Sequence, residues 1–212
     1  MLLMGMLCLM GLPATKHRVT AEEYLRLEET SIERHEFHDG TIVMMPAGTP
    51  EHSLIVSNVN GEVRQTLKGK PCRAYDSGLK VGFIRTNRFV YPDVLVVCGQ
   101  PQFDARTRDR RIVVNPRVVV EVLSPSTEAY DRGDKFSGYR EIESFEEYVL
   151  ISQSEASVQT FFRQKEGTWL AAFYSGMQAV VTIRSLGIEL PMTEIYAGVE
   201  FQPLPERVQE VE

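Results

Sequence analysis

Cysteine is scarce in this chain: three in 212 residues, at positions 8, 72 and 98. The number is odd, the positions are far apart and no Cys-x-x-Cys pair occurs, so the pattern argues against a zinc knuckle and against a disulfide framework. A reducing compartment is the simplest reading of such thiols, and the cytoplasm is the expected location. An excess of positive charge is missing too. The formal net charge of −6 weighs against indiscriminate binding to nucleic acid. A bilayer-length apolar run is also absent: the almost wholly apolar stretch Met1 to Leu12 falls short of the ~20 residues a membrane helix needs. No Lys or Arg precedes Lys16, so that stretch lacks the basic region of a secretory signal. With four methionines in its first ten residues, it reads as an upstream start or a loosely ordered extension over residues 1–18, a signal peptide being the less favoured reading. Internal repeats and low-complexity segments are not evident.

What is present is an ordinary globular composition, 43% hydrophobic and 25% charged, enough for one domain with a core that needs no disulfide. That domain is expected over residues 19–200, followed by an acidic, proline-bearing tail over 201–212. Thr20-Ala21-Glu22-Glu23 has the form of a capping box and predicts a short helix to about Glu29. Asp39-Gly40 between His35–His38 and Thr41–Met45 predicts a tight hairpin. Thr49-Pro50 opens a second helix, whose apolar residues Ile55, Val56, Val59, Val63 and Leu67 recur at helical spacing. Strands are predicted at Cys72–Asp76, Leu79–Ile84, Tyr91–Val97 and Arg117–Leu123, with Gly99 to Asn115 a long polar connection between the last two. A third helix is predicted from about Tyr130 to Ile142, then strands at Tyr148–Ile151, Ser157–Arg163, Trp169–Tyr174, Ala179–Ile183 and Gly187–Leu190. The fold class is α/β or α+β: a mixed central β-sheet flanked by α-helices.

Two carboxylates stand out against this background. Asp93 follows Pro92 at the start of an apolar strand, and proline's missing donor suits a strand start. Glu121 lies within Val118-Val119-Val120-Glu121-Val122-Leu123, sharing one face with Val119 and Leu123. A lone carboxylate is costly among apolar residues unless something pairs with it. Two of them on strands that can be neighbours suggest one shared partner, and a divalent cation that prefers oxygen ligands suits them. Asp131, Lys135 and Tyr139 fall at i, i+4 and i+8, on one helix face. Taken alone, Asp131 and Lys135 also read as an exposed ion pair worth a few tenths of a kcal/mol, and Asp93 also reads as a turn or cap residue. Glu36 in the hairpin is a further candidate. His52 is one more, although a histidine near a helix start is more often a hydrogen-bonding residue than a ligand. Arg106, Arg108, Arg110, Arg111 and Arg117 crowd a stretch whose acids are Asp104 and Asp109; the stretch is either a solvated loop or a local phosphate-facing patch.

These residues resemble a known family. Glu36-Phe37-His38-Asp39-Gly40, Pro92-Asp93-Val94, Glu121-Val122-Leu123-Ser124-Pro125-Ser126-Thr127, Asp131 with Lys135 and Tyr139, and Glu147-Tyr148-Val149-Leu150 are similar, in that order, to the Uma family of restriction-endonuclease-like proteins. That family lies within the PD-(D/E)XK nuclease superfamily. The resemblance spans roughly residues 19–190. It implies a restriction-endonuclease-like fold with the acidic pair and a lysine on a mixed sheet. The usual signature sets the lysine two residues after the glutamate; here that position is Leu123, and the resemblance implies that Lys135 has taken the role from the adjacent helix. It maps Glu36 onto an auxiliary acidic position.

The expected activity is therefore endonucleolytic hydrolysis of DNA. Asp93, Glu121 and the Val122 carbonyl would hold Mg²⁺ or Mn²⁺, and Lys135 would attend the water or the phosphate. Glu36 would assist the metal, while Asp131, Tyr139 and His52 would steady these groups. Arg106, Arg108, Arg110 and Arg111 are the candidate nucleic-acid contacts, and a homodimer is expected by analogy. Two other readings stand beside this one: a nucleic-acid or protein-binding module on the same fold without turnover, and the same chemistry on RNA or a nucleotide.

Overall fold

A computed structural model describes residues 18–107 and 110–201. The N-terminal apolar stretch, Cys8, Arg108, Asp109 and nearly all of the acidic tail lie outside these described residues. The chain forms a five-stranded sheet of order β2-β1-β5-β4-β7 and a six-stranded sheet of order β11-β10-β9-β8-β6-β3. A two-stranded sheet, β12-β13, completes the set. The strands of the first sheet are β1 (His35–His38), β2 (Thr41–Met44), β4 (Lys80–Phe83), β5 (Arg88–Val90) and β7 (Ile112–Val113). Those of the second are β3 (Cys72–Asp76), β6 (Val94–Cys98), β8 (Val118–Leu123), β9 (Glu147–Ser152), β10 (Ser157–Arg163) and β11 (Trp169–Ser175). The last pair is β12 (Val180–Ile183) and β13 (Ile188–Pro191).

The single central sheet predicted from the sequence is thus two larger sheets, and the chain crosses between them at Tyr91-Pro92-Asp93. β5 ends at Val90 in one sheet and β6 begins at Val94 in the other. Proline at the crossover removes a ladder donor where no ladder partner is needed. In the six-stranded sheet β6 runs antiparallel to β8, and β8 runs parallel to β9. A parallel pair needs a crossover connection, and here a helix provides it.

Helix α1 (Ala21–Thr30) starts with the capping box expected at Thr20 and Glu23. Helix α2 (Pro50–Thr66) starts at Thr49, whose side chain accepts from the His52 N–H. The connecting helix α3 opens as Glu128–Tyr130, widens into a π turn over Asp131–Lys135 and closes as Phe136–Arg140. A short α4 (Met192–Ile195) follows β13. Asp39 and Gly40 both take positive φ, 43° and 95°, as the primed two-residue hairpin turn requires.

Strand alternation divides the core in two. Val94, Val96, Val118, Val120, Val122, Val149 and Ile151 face α2 through Ile55, Val59, Val63 and Leu67. Leu95, Val97, Val119, Leu123, Tyr148 and Leu150 face α3 through Tyr139. All six residues of β8 are buried, as a central strand covered on both faces should be. Burying each such Val or Leu is worth about 1.5–3 kcal/mol. The α3 face also joins the two larger sheets, because Phe83 of β4 packs edge-on against Tyr139. The approach is so close that a Cβ on Gly138 would overlap the Phe83 ring.

The structure corrects the reading of the cysteines. Cys72 and Cys98 are bonded to each other, because they stand directly opposite in the antiparallel β3–β6 register. Register is invisible in cysteine spacing, and the pairing removes that spacing as an argument for a reducing compartment. No helix among the described residues is long and apolar enough to cross a membrane.

Candidate active site

Asp93 stands at the entrance to β6 and Glu121 in the middle of β8, on adjacent strands. The Val122 N–H donates to Asp93 Oδ2 over 2.7 Å, fixing the aspartate against the strand that carries the glutamate. Glu121 keeps only 2% of its surface and points toward α3, on the face shared with Val119 and Leu123. There it meets Lys135, whose Nζ lies 2.9 Å from Glu121 Oε1, 3.4 Å from Asp131 Oδ1 and 3.6 Å from Glu36 Oε1. The Lys135 ammonium also donates to the Tyr91 carbonyl over 3.1 Å. Tyr139 donates its O–H to Glu121 Oε1 over 3.0 Å. The helix face expected from the i, i+4, i+8 spacing is therefore the face turned to the carboxylates. The exposed Asp131–Lys135 ion pair is ruled out, since both residues are buried.

The π turn over Asp131–Lys135 packs an additional residue into the helix at this point, and such turns recur at functional sites. The Tyr148 O–H donates to the Asp131 carbonyl over 3.0 Å, engaging one of the carbonyls of the widened turn.

Glu36 arrives from the other sheet. The Tyr91 N–H donates to its Oε1 over 3.0 Å, while the Tyr130 O–H donates to Oε2 and His38 Nε2 lies beside Oε2, each at 3.0 Å. His38, Tyr91 and Tyr130 are site residues that sequence reading missed. His38 had a signal: two residues after Glu36 on a strand, it shares its face. Tyr130 had none, because its direction depends on the π turn.

His52 sits one turn into α2 with Nε2 3.4 Å from Asp93 Oδ2. Asp93 and His52 side chains keep 17% and 18% of their surface, against 5% for Lys135, so solvent meets the cluster from the Asp93–His52 side. Of the predicted arginines, Arg106, Arg110 and Arg111 have partners outside this cluster, and Arg108 lies outside the described residues. Arg106 forks onto the buried Asp104 and reaches Asn87. Arg110 stacks on Phe103 and Arg111 lies 3.8 Å from Glu29. Arg117, at the foot of β8, pairs with Glu146.

The electrostatics are lopsided: three carboxylates, of Glu36, Glu121 and Asp131, lie within 3.6 Å of one lysine, and a fourth, Asp93, stands on the adjoining strand. Burial pushes the Glu121 carboxyl well above the ordinary range, with Asp131 and Asp93 adding to the push against the pull of Lys135. Burial also raises Asp131. Burial works against the charge on Lys135, yet Glu121 and Glu36 outweigh it and hold that pKa well above the usual lysine value. Burial opposes the ionisation of Glu36 as well, but Lys135, His38 and the Tyr91 N–H keep it below the usual carboxylate value. For His52, burial disfavours the charged ring, and the bonds to Asp93 and the Val122 backbone reverse the balance and raise it.

Such a surplus of carboxylate is the chemistry of a hard-cation site. Among the described residues no group of three or more His, Cys, Asp or Glu is arranged to hold a metal ion alone. A pair of carboxylates completed by water and substrate phosphate is, however, how Mg²⁺ is commonly bound. Lys135 and Tyr139 engage Oε1 of Glu121, and Val122 and His52 engage Oδ2 of Asp93, so each carboxylate keeps a second oxygen outside these bonds. Asp93 and Glu121 thus fit a divalent ion by donor type and by charge.

Comparison with known proteins gives the family and the fold. The family model Uma2, described as "Putative restriction endonuclease", matches residues 21–193. The uncharacterized protein slr1290 of Synechocystis sp. is 35% identical over 185 residues, covering 87% of this chain and 94% of its own. A second Synechocystis protein, sll1609, also uncharacterized, is 29% identical over 168 residues, covering 79% and 94%. Among solved structures, a putative nuclease belonging to DUF820 from Anabaena variabilis superposes with a TM-score of 0.67 at 19% identity. That match covers 84% of this chain and 97% of the Anabaena chain, and it supports the restriction-endonuclease-like fold.

Proposed function

The chain belongs to the Uma2 family, and from that premise we propose that the acidic cluster around Lys135 is a Mg²⁺- or Mn²⁺-dependent phosphodiesterase centre acting on DNA. The observation that carries this reading is the surplus of four carboxylates over one lysine where the two larger sheets meet. Asp93, Glu121 and the Val122 carbonyl would hold the divalent ion, which would supply Lewis acidity toward phosphate oxygens and lower the pKa of water.

The chain's own groups supply the rest. Lys135 works as a cation and not as a base, because Glu121, Glu36 and Asp131 hold its charge. It orients the attacking water and stabilises charge that builds on the phosphate. Glu36, Asp131 and Tyr139 fix where that charge sits, and a preorganised charge acts without reorganisation cost during the reaction. His52 holds Asp93 from the solvent side. Two such centres in a homodimer would address both strands of a duplex.

Calorimetry with Mn²⁺ on the native protein, Asp93→Ala and Glu121→Ala tests the site without a guessed substrate. Binding by the native protein is expected to disappear in both variants. Cleavage assays on duplex DNA, single-stranded RNA and cyclic nucleotides then assign the substrate, and nuclease activity that survives Glu121→Ala refutes the reading. One observation favours a binding module without turnover: Lys135 is buried behind three carboxylates. That module would keep its affinity for nucleic acid in chelator and take up no Mn²⁺.

A further inference from the structure

Between the second half of α2 and β3, the outermost strand of the six-stranded sheet, runs a groove of about 870 Å³. Its charged lining is of one sign: Arg64 from the helix, Lys68 from the turn that follows it and Arg73 from the strand, with no Asp or Glu. All three are exposed, on a chain whose net charge is −6. Arg73 is anchored where it stands, donating to the carbonyls of Lys70 and Cys72. The wall also contains Asn60, whose Oδ1 is buried without a hydrogen-bond partner. That acceptor suits a hydroxyl or amine.

The groove leads to the acidic site. α2 starts beside Asp93 at His52, so at about 1.5 Å per residue its groove lining begins about 7.5 Å beyond that residue at Ser57 and reaches Arg64 about 18 Å away. β3 climbs back the other way, and its Tyr75 pairs with Leu95, two residues beyond Asp93. An acidic centre repels the polyanion it would cut. Cations along the same groove, with Arg73 opposite Val97 four residues along β6 from Asp93, offset the repulsion.

We propose that this groove holds one sugar–phosphate strand of the nucleic acid and leads it to or from the Asp93–Glu121 centre. The inference rests on the phosphodiesterase reading given above. Stacked phosphates on one strand rise about 3.4 Å apiece, so the groove spans several, and Arg64, Lys68 and Arg73 are the cations that line it. A second copy of this chain is the other occupant that a sheet edge invites. A symmetric pairing there would bring the Arg64, Lys68 and Arg73 cations of two copies to one seam, and like charges across an edge oppose it.

The test is fluorescence anisotropy with a short labelled DNA single strand in chelator, where nothing is cut. The triple variant Arg64→Glu/Lys68→Glu/Arg73→Glu is compared with native protein and with Arg85→Glu, an exposed arginine in the β4–β5 turn. The triple variant is expected to bind at least about tenfold more weakly, and its plot of log affinity against log salt should be shallower by about two, near 0.7 per lost contact. Arg85→Glu should bind as the native protein does. A matching thermal melt and unchanged Mn²⁺ uptake show that the triple variant is folded with its site intact. A triple variant that binds like native protein overturns the proposal, as does native protein that binds no strand. In either case the phosphodiesterase reading is judged separately, by Mn²⁺ uptake through Asp93 and Glu121. A native dimer that the triple variant dissociates would assign the groove to a second copy and overturn the proposal too.

Discussion

Glu121 and Glu147 lie on neighbouring strands of one sheet, are buried to the same degree at 2% and 0% exposure, and have opposite surroundings. Glu147 is opposite Val118 in the β8–β9 register, on the α2 face. It accepts the Arg184 N–H at 3.1 Å and the Ser185 N–H at 2.8 Å, which ties the turn between β12 and β13 to the sheet. Its donors are two backbone N–H groups of one turn, which pull its carboxyl down against a burial that still raises it overall. Glu121 faces α3, where its partners are a shared lysine and a tyrosine and its neighbours are further carboxylates. Burial alone therefore does not mark a functional acid. A carboxylate bonded by backbone N–H groups reads as structural, and one crowded by its own kind is the candidate for a functional role.

Mutations should separate the two regions, and the largest effect is expected at Lys135. Lys135→Ala leaves buried carboxylates without their counter-charge, and breaking a buried pair this way costs about 3–5 kcal/mol. Urea denaturation reads this directly; a loss below about 1 kcal/mol would mean that Lys135 does not balance the cluster. Glu147→Gln comes next. It weakens hydrogen bonds between backbone donors and a charged acceptor, worth about 1.5–3 kcal/mol, while any nuclease activity per folded molecule stays at the native level.

Glu121→Gln should behave in the opposite way, losing activity and Mn²⁺ uptake with little or no loss of stability. The folded pKa of Glu121 is raised, so its contribution to stability is fully present below the unfolded value of about 4.5 and is lost as pH rises through the folded one. In chelator the variant should melt close to native protein in acid and above it at neutral pH. Mn²⁺ should narrow that gap by stabilising the native protein alone. A variant that melts below native protein at neutral pH would show that Glu121 is as well satisfied as Glu147.

Much of this was legible in the sequence, for a physical reason. Asp93 and Glu121 betray themselves because carboxylates in apolar strands conflict with their surroundings, and Lys135 and Tyr139 follow from helical spacing. The hairpin at Asp39-Gly40 and the two N-caps are local chemistry and appear where local chemistry puts them. β5 and β7 do not, since strands of three and two residues have no periodicity to read and exist only through pairing. Ile112 and Val113 therefore passed as part of a polar connection. The Cys72–Cys98 bond and the separation of two sheets depend on register, and the role of Tyr130 depends on the π turn. The partners of the arginine-rich stretch were equally invisible: Arg106 pairs with Asp104 and Arg117 with Glu146.

His52 gives the smallest effect and the finest test of the comparison, because it reports on Asp93 from outside the buried cluster. Its pKa is raised above 6.5 although burial pulls the other way, so the bond to Asp93 and the contact with the Val122 backbone must supply the difference. A raised histidine contributes stability that is fully present below the unfolded value of about 6.5 and is lost as pH rises through the folded one. NMR titration of the His52 ring in metal-free protein should therefore give a midpoint above that of a free imidazole. In Asp93→Asn the charge is gone and burial remains, so the midpoint should fall, and the accompanying loss of stability near pH 6 should be a few tenths of a kcal/mol, as for a partly exposed pair. In Glu147→Gln it should not move, because that carboxylate lies on β9 and is tied to the β12–β13 turn. A His52 midpoint that ignores Asp93 would detach α2 from the acidic pair and leave Asp93 held by the Val122 N–H alone.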